Sequence, residues 1–147
     1  MPIPCEIVSQ DRIVFQGNVD IVVLPGQDGT IGILPNHSPV LTVLEYGVIT
    51  VRTDKVEQYF TVAGGVAEVL PDHVTVLADA AENVEEIDDQ RAQAAMDRAE
   101  ELLSQKLDMD PDRYMAIQAA LQRSTLRLNA VKKYRQRRRN EPTTGQR

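Results

Sequence analysis

At 147 residues, 42% of them hydrophobic but with no Trp, two Phe and four Tyr, the chain suits one compact domain or two small ones around an aliphatic core. The longest uncharged stretch, residues 29–44, is short of the roughly 18 apolar residues of a membrane span and contains two prolines and a histidine, while the start, Met1-Pro-Ile-Pro-Cys-Glu6, lacks the basic and apolar regions of a signal peptide, so a soluble cytoplasmic protein is expected. The net charge of −6 argues against nucleic-acid binding by the whole chain, and a single cysteine with two distant histidines excludes an internal disulfide and a Cys/His zinc site.

Residues 1–85 read as strands. Short β-branched runs occur at 5–8, 12–15, 19–24, 30–34, 39–44, 47–52, 58–63, 65–70 and 73–77. Turn signals punctuate them: Pro25-Gly26, Asp28-Gly29, Pro35-Asn36, Asp54-Lys55, Gly64-Gly65 and Pro71-Asp72. About nine short strands at this spacing predict an antiparallel sandwich or flattened barrel. No helix-length periodic segment separates them, which argues against a parallel α/β sheet.

From Ile87 the period changes. Ala92, Ala95, Met96, Ala99, Leu102, Leu103 and Leu107 recur at helical spacing, with Asp88 as N-cap and Asp89 at the positive end of the helix dipole. Residues 106–113 break the pattern. Asp110 caps a second helix that has Pro111 in its first turn and runs through Tyr114, Ile117, Leu121, Leu128 and Val131 towards Tyr134. A short connection predicts an antiparallel hairpin whose alanine-rich seam buries little area and holds it only marginally. The expected organisation is thus a β-sandwich over 1–85, a helical hairpin over 86–139 and a disordered polar tail over 140–147.

Charge is distributed unevenly along this plan. Residues 1–85 carry 12 acidic and 3 basic groups, residues 86–112 carry 9 and 3, and residues 113–147 carry 1 and 10. Residues 132–139 alone hold six basic groups. Such an arm is either a solvated helix end favoured by the dipole or a docking surface for carboxylates, and charge alone does not choose among protein, nucleic acid and membrane.

No constellation for catalysis emerges. Gly26-Gln-Asp-Gly29-Thr-Ile-Gly32 lacks GxGxxG spacing and precedes no helix, so it reads as a hairpin turn. The absence of a GxxxxGK[ST] loop excludes nucleotide hydrolysis of that type. His37 lies in a proline-bracketed turn beside Ser38, and adjacency in sequence does not build a nucleophile and base; a structural or partner-contact role fits better. Cys5 reads as a small apolar strand residue, and Asp88-Asp89 as a helix start. No metal site is expected.

Three stretches then carry a family resemblance: Gly29-Thr-Ile-Gly-Ile-Leu-Pro-Asn-His-Ser-Pro-Val-Leu-Thr-Val-Leu-Glu-Tyr-Gly47, Val62-Ala-Gly-Gly-Val-Ala-Glu-Val69 and Val74-Thr-Val-Leu-Ala-Asp79. In this order and spacing the chain resembles the epsilon subunits of bacterial rotary, proton-translocating ATP synthases. The resemblance implies a flattened sandwich followed by a helical hairpin, in a non-catalytic subunit of the central rotor on the cytoplasmic face of the bacterial membrane. Its implied partners are the gamma subunit, the ring of c subunits and the catalytic alpha and beta subunits. The edge that faces the ring and gamma corresponds to Gln27, Asp28, Gly29, Thr30 and His37. Thr30 stands where some members have an acidic residue, so the surface carries over without a particular ion pair. Lys132, Lys133 and Arg135 are implied docking charges for the catalytic subunits, although an arginine-rich end from Arg135 onward is less typical of the family.

Ile87-Asp88-Asp-Gln-Arg91-Ala92 also resembles the motif by which some members bind ATP as a regulatory ligand, with Glu82 upstream and Arg123 and Arg127 downstream. The implied chemistry is an Asp88 carboxylate accepting from the adenine amine and arginines meeting the phosphates. No cofactor is otherwise required. The alternative is a free-standing ATP-sensing or nucleic-acid-binding module using the basic arm; an independent hydrolase is more remote.

Overall fold

The computed structural model describes residues 1–105 and 109–135. The tail expected to be disordered, 140–147, and the arginine run 137–139 lie outside the described residues. Two compact units divide the chain, Met1–Glu86 and Ile87–Arg147.

The first unit is a β-sandwich of eight strands: β1 (Ile3–Val8), β2 (Ile13–Val19), β3 (Ile21–Gly26), β4 (Gly29–Ile33), β5 (Val40–Thr53), β6 (Val56–Leu70), β7 (His73–Ala78) and β8 (Ala81–Asn83), closed by a 3-10 turn at Val84–Glu86. They form one folded-over sheet in the order β2-β1-β7-β6-β5-β3-β4, with β8 on β6. Every pairing is antiparallel except that of β1 with β7. Those two strands are joined through the whole intervening sheet, so no hairpin constrains their direction.

Strand number differs from the expectation. The runs at 39–44 and 47–52 are one strand, β5, and those at 58–63 and 65–70 are one strand, β6. Gly64 and Gly65, read as a turn between strands, lie inside β6 with φ of +88° and +132°. Here β6 leaves its partner β8, paired at Phe60–Val62, and takes up β7 from Gly65 onward. A Cβ on Gly65 would sit 2.3 Å from the Leu77 carbonyl oxygen. Only glycine combines that φ with so close a backbone approach. Strand β8 escaped the sequence reading because Ala81-Glu-Asn83 has neither β-branched residues nor alternation.

Alternation places the core. Ile3, Cys5 and Ile7 of β1, Val22 and Leu24 of β3, and Val74, Val76 and Ala78 of β7 point inward. In β6 the run Tyr59-Phe60-Thr61-Val62 is buried at every position, as a strand covered on both faces must be. Phe60 meets Phe15 with ring centroids 5.4 Å apart, tilted by 58°. The β5–β6 hairpin turns on Asp54 and Lys55, both at positive φ, and the Asp54 amide donates to Asp20 Oδ2 at 2.9 Å.

The second unit is a pair of helices, α1 (Asp89–Ser104) and α2 (Pro111–Ala130), packed along one another. Asp88 caps α1, its Oδ1 accepting from the Arg91 amide at 3.0 Å; Asp110 caps α2, accepting from the Asp112 amide at 3.2 Å ahead of Pro111. The buried residues of the helices are Ala92, Ala99, Ser124, Leu128 and Ala130. Helical periodicity towards Tyr134 is interrupted, since α2 passes into a π turn at Val131–Arg135. No described helix is long and apolar enough to cross a membrane.

Candidate functional site

The residues matched to an ATP-binding motif fall in both units. Glu82 lies in β8 of the sandwich, half-buried, its carbonyl accepting from the Thr61 hydroxyl at 3.4 Å. Ile87, Asp88, Arg91 and Ala92 are gathered at the start of α1. Ile87 and Ala92 are buried, whereas Asp88 and Arg91 are exposed. The Asp88 cap uses Oδ1 for the Arg91 amide, and its carbonyl accepts from the Ala92 amide at 3.0 Å. A carboxylate has lone pairs beyond that single bond, so a cap can still accept from a ligand amine. Its negative charge also occupies the place where a helix N-terminus would otherwise attract phosphate. Arg123 and Arg127 stand one turn apart on α2, the first exposed and the second half-buried.

The residues matched to a partner-binding edge occupy two loops and the end of α2. Gln27 and Asp28 form a two-residue turn between β3 and β4, closed by the Gly26–Gly29 pair, and residues Gln27, Asp28, Gly29 and Thr30 are all exposed. Gly29 has a φ of +128° there, and the Gln27 amide is anchored on the Val43 carbonyl at 2.8 Å. His37, half-buried, donates from Nδ1 to the Ser38 carbonyl at 2.7 Å, a backbone contact rather than a pairing with the Ser38 hydroxyl. Its turn is tied down by the Asn36 amide, which donates to the Pro71 carbonyl at 3.1 Å. Lys132 and Lys133 are exposed, with the Lys133 ammonium 5.3 Å from the Tyr134 ring centre. Arg135 reaches back to the start of α1, its Nη2 2.5 Å from the Ile87 carbonyl oxygen.

Other titratable groups have local partners. Burial pushes the Cys5 thiol up to about 12, helped by the charge of Glu6, so it is no nucleophile at neutral pH. His73 donates from Nδ1 to Asp72 Oδ1 at 2.9 Å, with Glu68 3.8 Å from its other nitrogen. Among the described residues no cluster of three His, Cys, Asp or Glu could hold a metal ion.

Sequence reasoning missed one surface. Val43 of β5 pairs with Val66 of β6, Val66 with Leu77 of β7, and Leu77 with Val8 of β1. Val43, Val66 and Leu77 are 51, 37 and 54% exposed, and Leu41, two residues from Val43, is 72% exposed. Together they make an apolar row across the outer face of the sandwich, beside a shallow groove formed with Ser9, Gln10 and Asp79. The signal was present in strand composition: β5 and β7 carry apolar residues at both parities, the pattern of a strand destined to be covered on both faces.

The sequence matches the family model of the ATP synthase delta/epsilon chain beta-sandwich domain over residues 2–84, and that of its long alpha-helix domain over residues 85–132. An ATP synthase epsilon chain of Syntrophobacter fumaroxidans is 45% identical over 131 residues, covering 89% of this chain and 96% of that one. One from Herpetosiphon aurantiacus is 40% identical over 137 residues, covering 93% and 99%. Among solved structures, a chain of the Euglena gracilis mitochondrial ATP synthase (OSCP, F1 and c-ring) shares the fold with a TM-score of 0.74 at 21% identity, over 88% of this chain and 81% of its own.

Proposed function

The chain belongs to the ATP synthase delta/epsilon family, and on that premise we propose that this epsilon subunit couples rotation to synthesis by binding gamma through its sandwich and resting on the c-ring. Proton flow through the ring then turns gamma and this chain together. The observation that carries the reading is the exposed row Val43, Val66 and Leu77. Apolar area of this kind is stabilised by removal from water at roughly 25 cal/mol per Å², and a contiguous row across three strands offers a rigid, preformed face for a subunit that must transmit torque. The polar, exposed turn Gln27–Thr30 suits the hydrophilic loops of a membrane ring, and association with the membrane arises through the complex alone.

The test is co-purification. Val43→Asp combined with Leu77→Asp alters only exposed positions on strands that do not pair with each other, so the melting temperature should stay near that of wild type while gamma and the catalytic subunits are lost from a pull-down. Undiminished recovery of gamma would remove the apolar row as the docking face. A free-standing module is the weaker reading, because it gives this row nothing to bind.

The hairpin acts as a brake on ATP hydrolysis. Its small buried residues and separately capped helices favour two arrangements of comparable free energy. In the extended one, α2 would reach about 1.5 Å per residue along gamma and bring Lys132, Lys133 and Arg135 to acidic segments of the catalytic subunits. ATP biases the equilibrium by binding the compact arrangement, with Asp88 accepting from the adenine amine and Arg91, Arg123 and Arg127 meeting the phosphates. Removing residues 88–147 should raise hydrolysis and preserve synthesis. Calorimetry with ATP, wild type against Asp88→Ala, separates the two roles: no binding by the wild type at millimolar ATP leaves the brake without the sensor.

A further inference from the structure

We propose that Arg135, carried on the π turn at the end of α2, is a clasp across the open mouth of the helical hairpin, and that releasing it is what frees the basic end of α2. The loop joins the helices at one end only. At the other, the start of α1 and the end of α2 meet over few large side chains, the buried residues nearest that mouth being Ile87, Ala92, Leu128 and Ala130. The Arg135 guanidinium bridges it, with Nη2 2.5 Å from the Ile87 carbonyl oxygen in a partly buried setting, between residues 48 positions apart. This carbonyl lies just before the N-cap. The capping bonds use the Asp88 side chain and the Asp88 carbonyl, so the clasp takes an acceptor those bonds do not use. A charged donor on a neutral carbonyl away from full solvent is among the stronger hydrogen bonds available to a surface helix.

The π turn sets the aim. Up to Val131, whose amide donates to the Arg127 and Leu128 carbonyls, α2 is regular; the five residues Val131–Arg135 then widen. A π turn accommodates one residue more than an α turn, and in a regular helix one residue corresponds to roughly 100° of rotation. A straight continuation would therefore present residue 135 on a different face. No proline or glycine in Val131-Lys-Lys-Tyr-Arg135 forces the widening, and the hydrogen bond from Arg135 to Ile87 is a physical reason for it to persist. The functional weight of the clasp rests on the brake proposed above, since α2 cannot extend along another subunit while its last turn stays bonded to Ile87.

Hydrogen exchange on the full chain tests this without gamma or ATP, so failure of the clasp and failure of the brake are distinguishable. In Arg135→Met, amides of residues 91–95 and 127–130 should exchange about tenfold faster and in step, while those of β6 and β7 keep their wild-type rates. Deleting Lys132 removes the extra residue and leaves the arginine on the same face of a regular helix, so protection should stay near that of wild type. Unchanged exchange in Arg135→Met, or acceleration confined to residues 131–135, would overturn the clasp. Loss of protection in the Lys132 deletion would overturn the role of the turn.

Discussion

The two units bury different kinds of residue. The sandwich encloses Ile3, Ile7, Leu24, Ile33, Ile49 and Phe60 almost completely, with eight valines at comparable depth. Among the described residues of the helices, Leu128 is the only large aliphatic that is buried; the others are alanines and a serine. Full burial of a large aliphatic side chain stabilises by about 1.5–3 kcal/mol, and an alanine methyl by a fraction of that. One unit is therefore held by dense interior packing and the other by a thin seam, end caps and a clasp. This suits the rotor subunit with a movable brake proposed above, since moving elements come from the low-stability end of a structure.

Substitutions can break this contrast, and the largest effect is expected at Gly65. Gly65→Val meets the Leu77 carbonyl and the Ala78 Cα at a φ of +132°, so the sandwich should fail to fold or melt many degrees lower, as a thermal scan would show. Ile7→Ala should cost about 2–5 kcal/mol in urea unfolding of the sandwich. Ala99→Gly on α1 should cost about 1 kcal/mol, confined to hairpin amides. A comparable global loss from Ala99→Gly would erase the distinction between the units.

Cys5 sharpens the comparison by pH. Its thiol is raised from 9.0 to about 12 in the fold, so the folded state resists forming the thiolate. The stability linked to the protonated thiol is complete below pH 9 and is lost as pH rises towards 12. A Cys5→Ala variant should show a shallower alkaline decline in the unfolding midpoint. The smaller effect of Asp88→Ala, about 1 kcal/mol for loss of an N-cap, should speed exchange in the first turn of α1 and leave the sandwich untouched. Least of all should change on removing residues 87–147: the remaining chain should keep a melting temperature within a few degrees of the full protein. A fragment that unfolds would show that the sandwich depends on the hairpin.

Much of the fold was legible because its signals are local. Period-two runs with turn residues between them marked the strands, and the caps Asp88 and Asp110 marked helix starts within three residues of the bonds they make. The motif at Ile87–Ala92 is equally local. Other features join residues far apart in sequence. Whether Gly64-Gly65 ends a strand or bends one depends on β7 arriving alongside, and the parallel β1–β7 pair depends on how the whole sheet closes. The row Val43, Val66 and Leu77 exists only because register aligns three strands, each of which taken alone shows just one or two outward apolar residues. Arg135 and Ile87 meet only when both helices have formed and the π turn has rotated the last of them. Backbone preference acts over a few residues and sequence alone determines it; register, close approach and clasp are set by the sum of distant contacts, which only the folded chain decides.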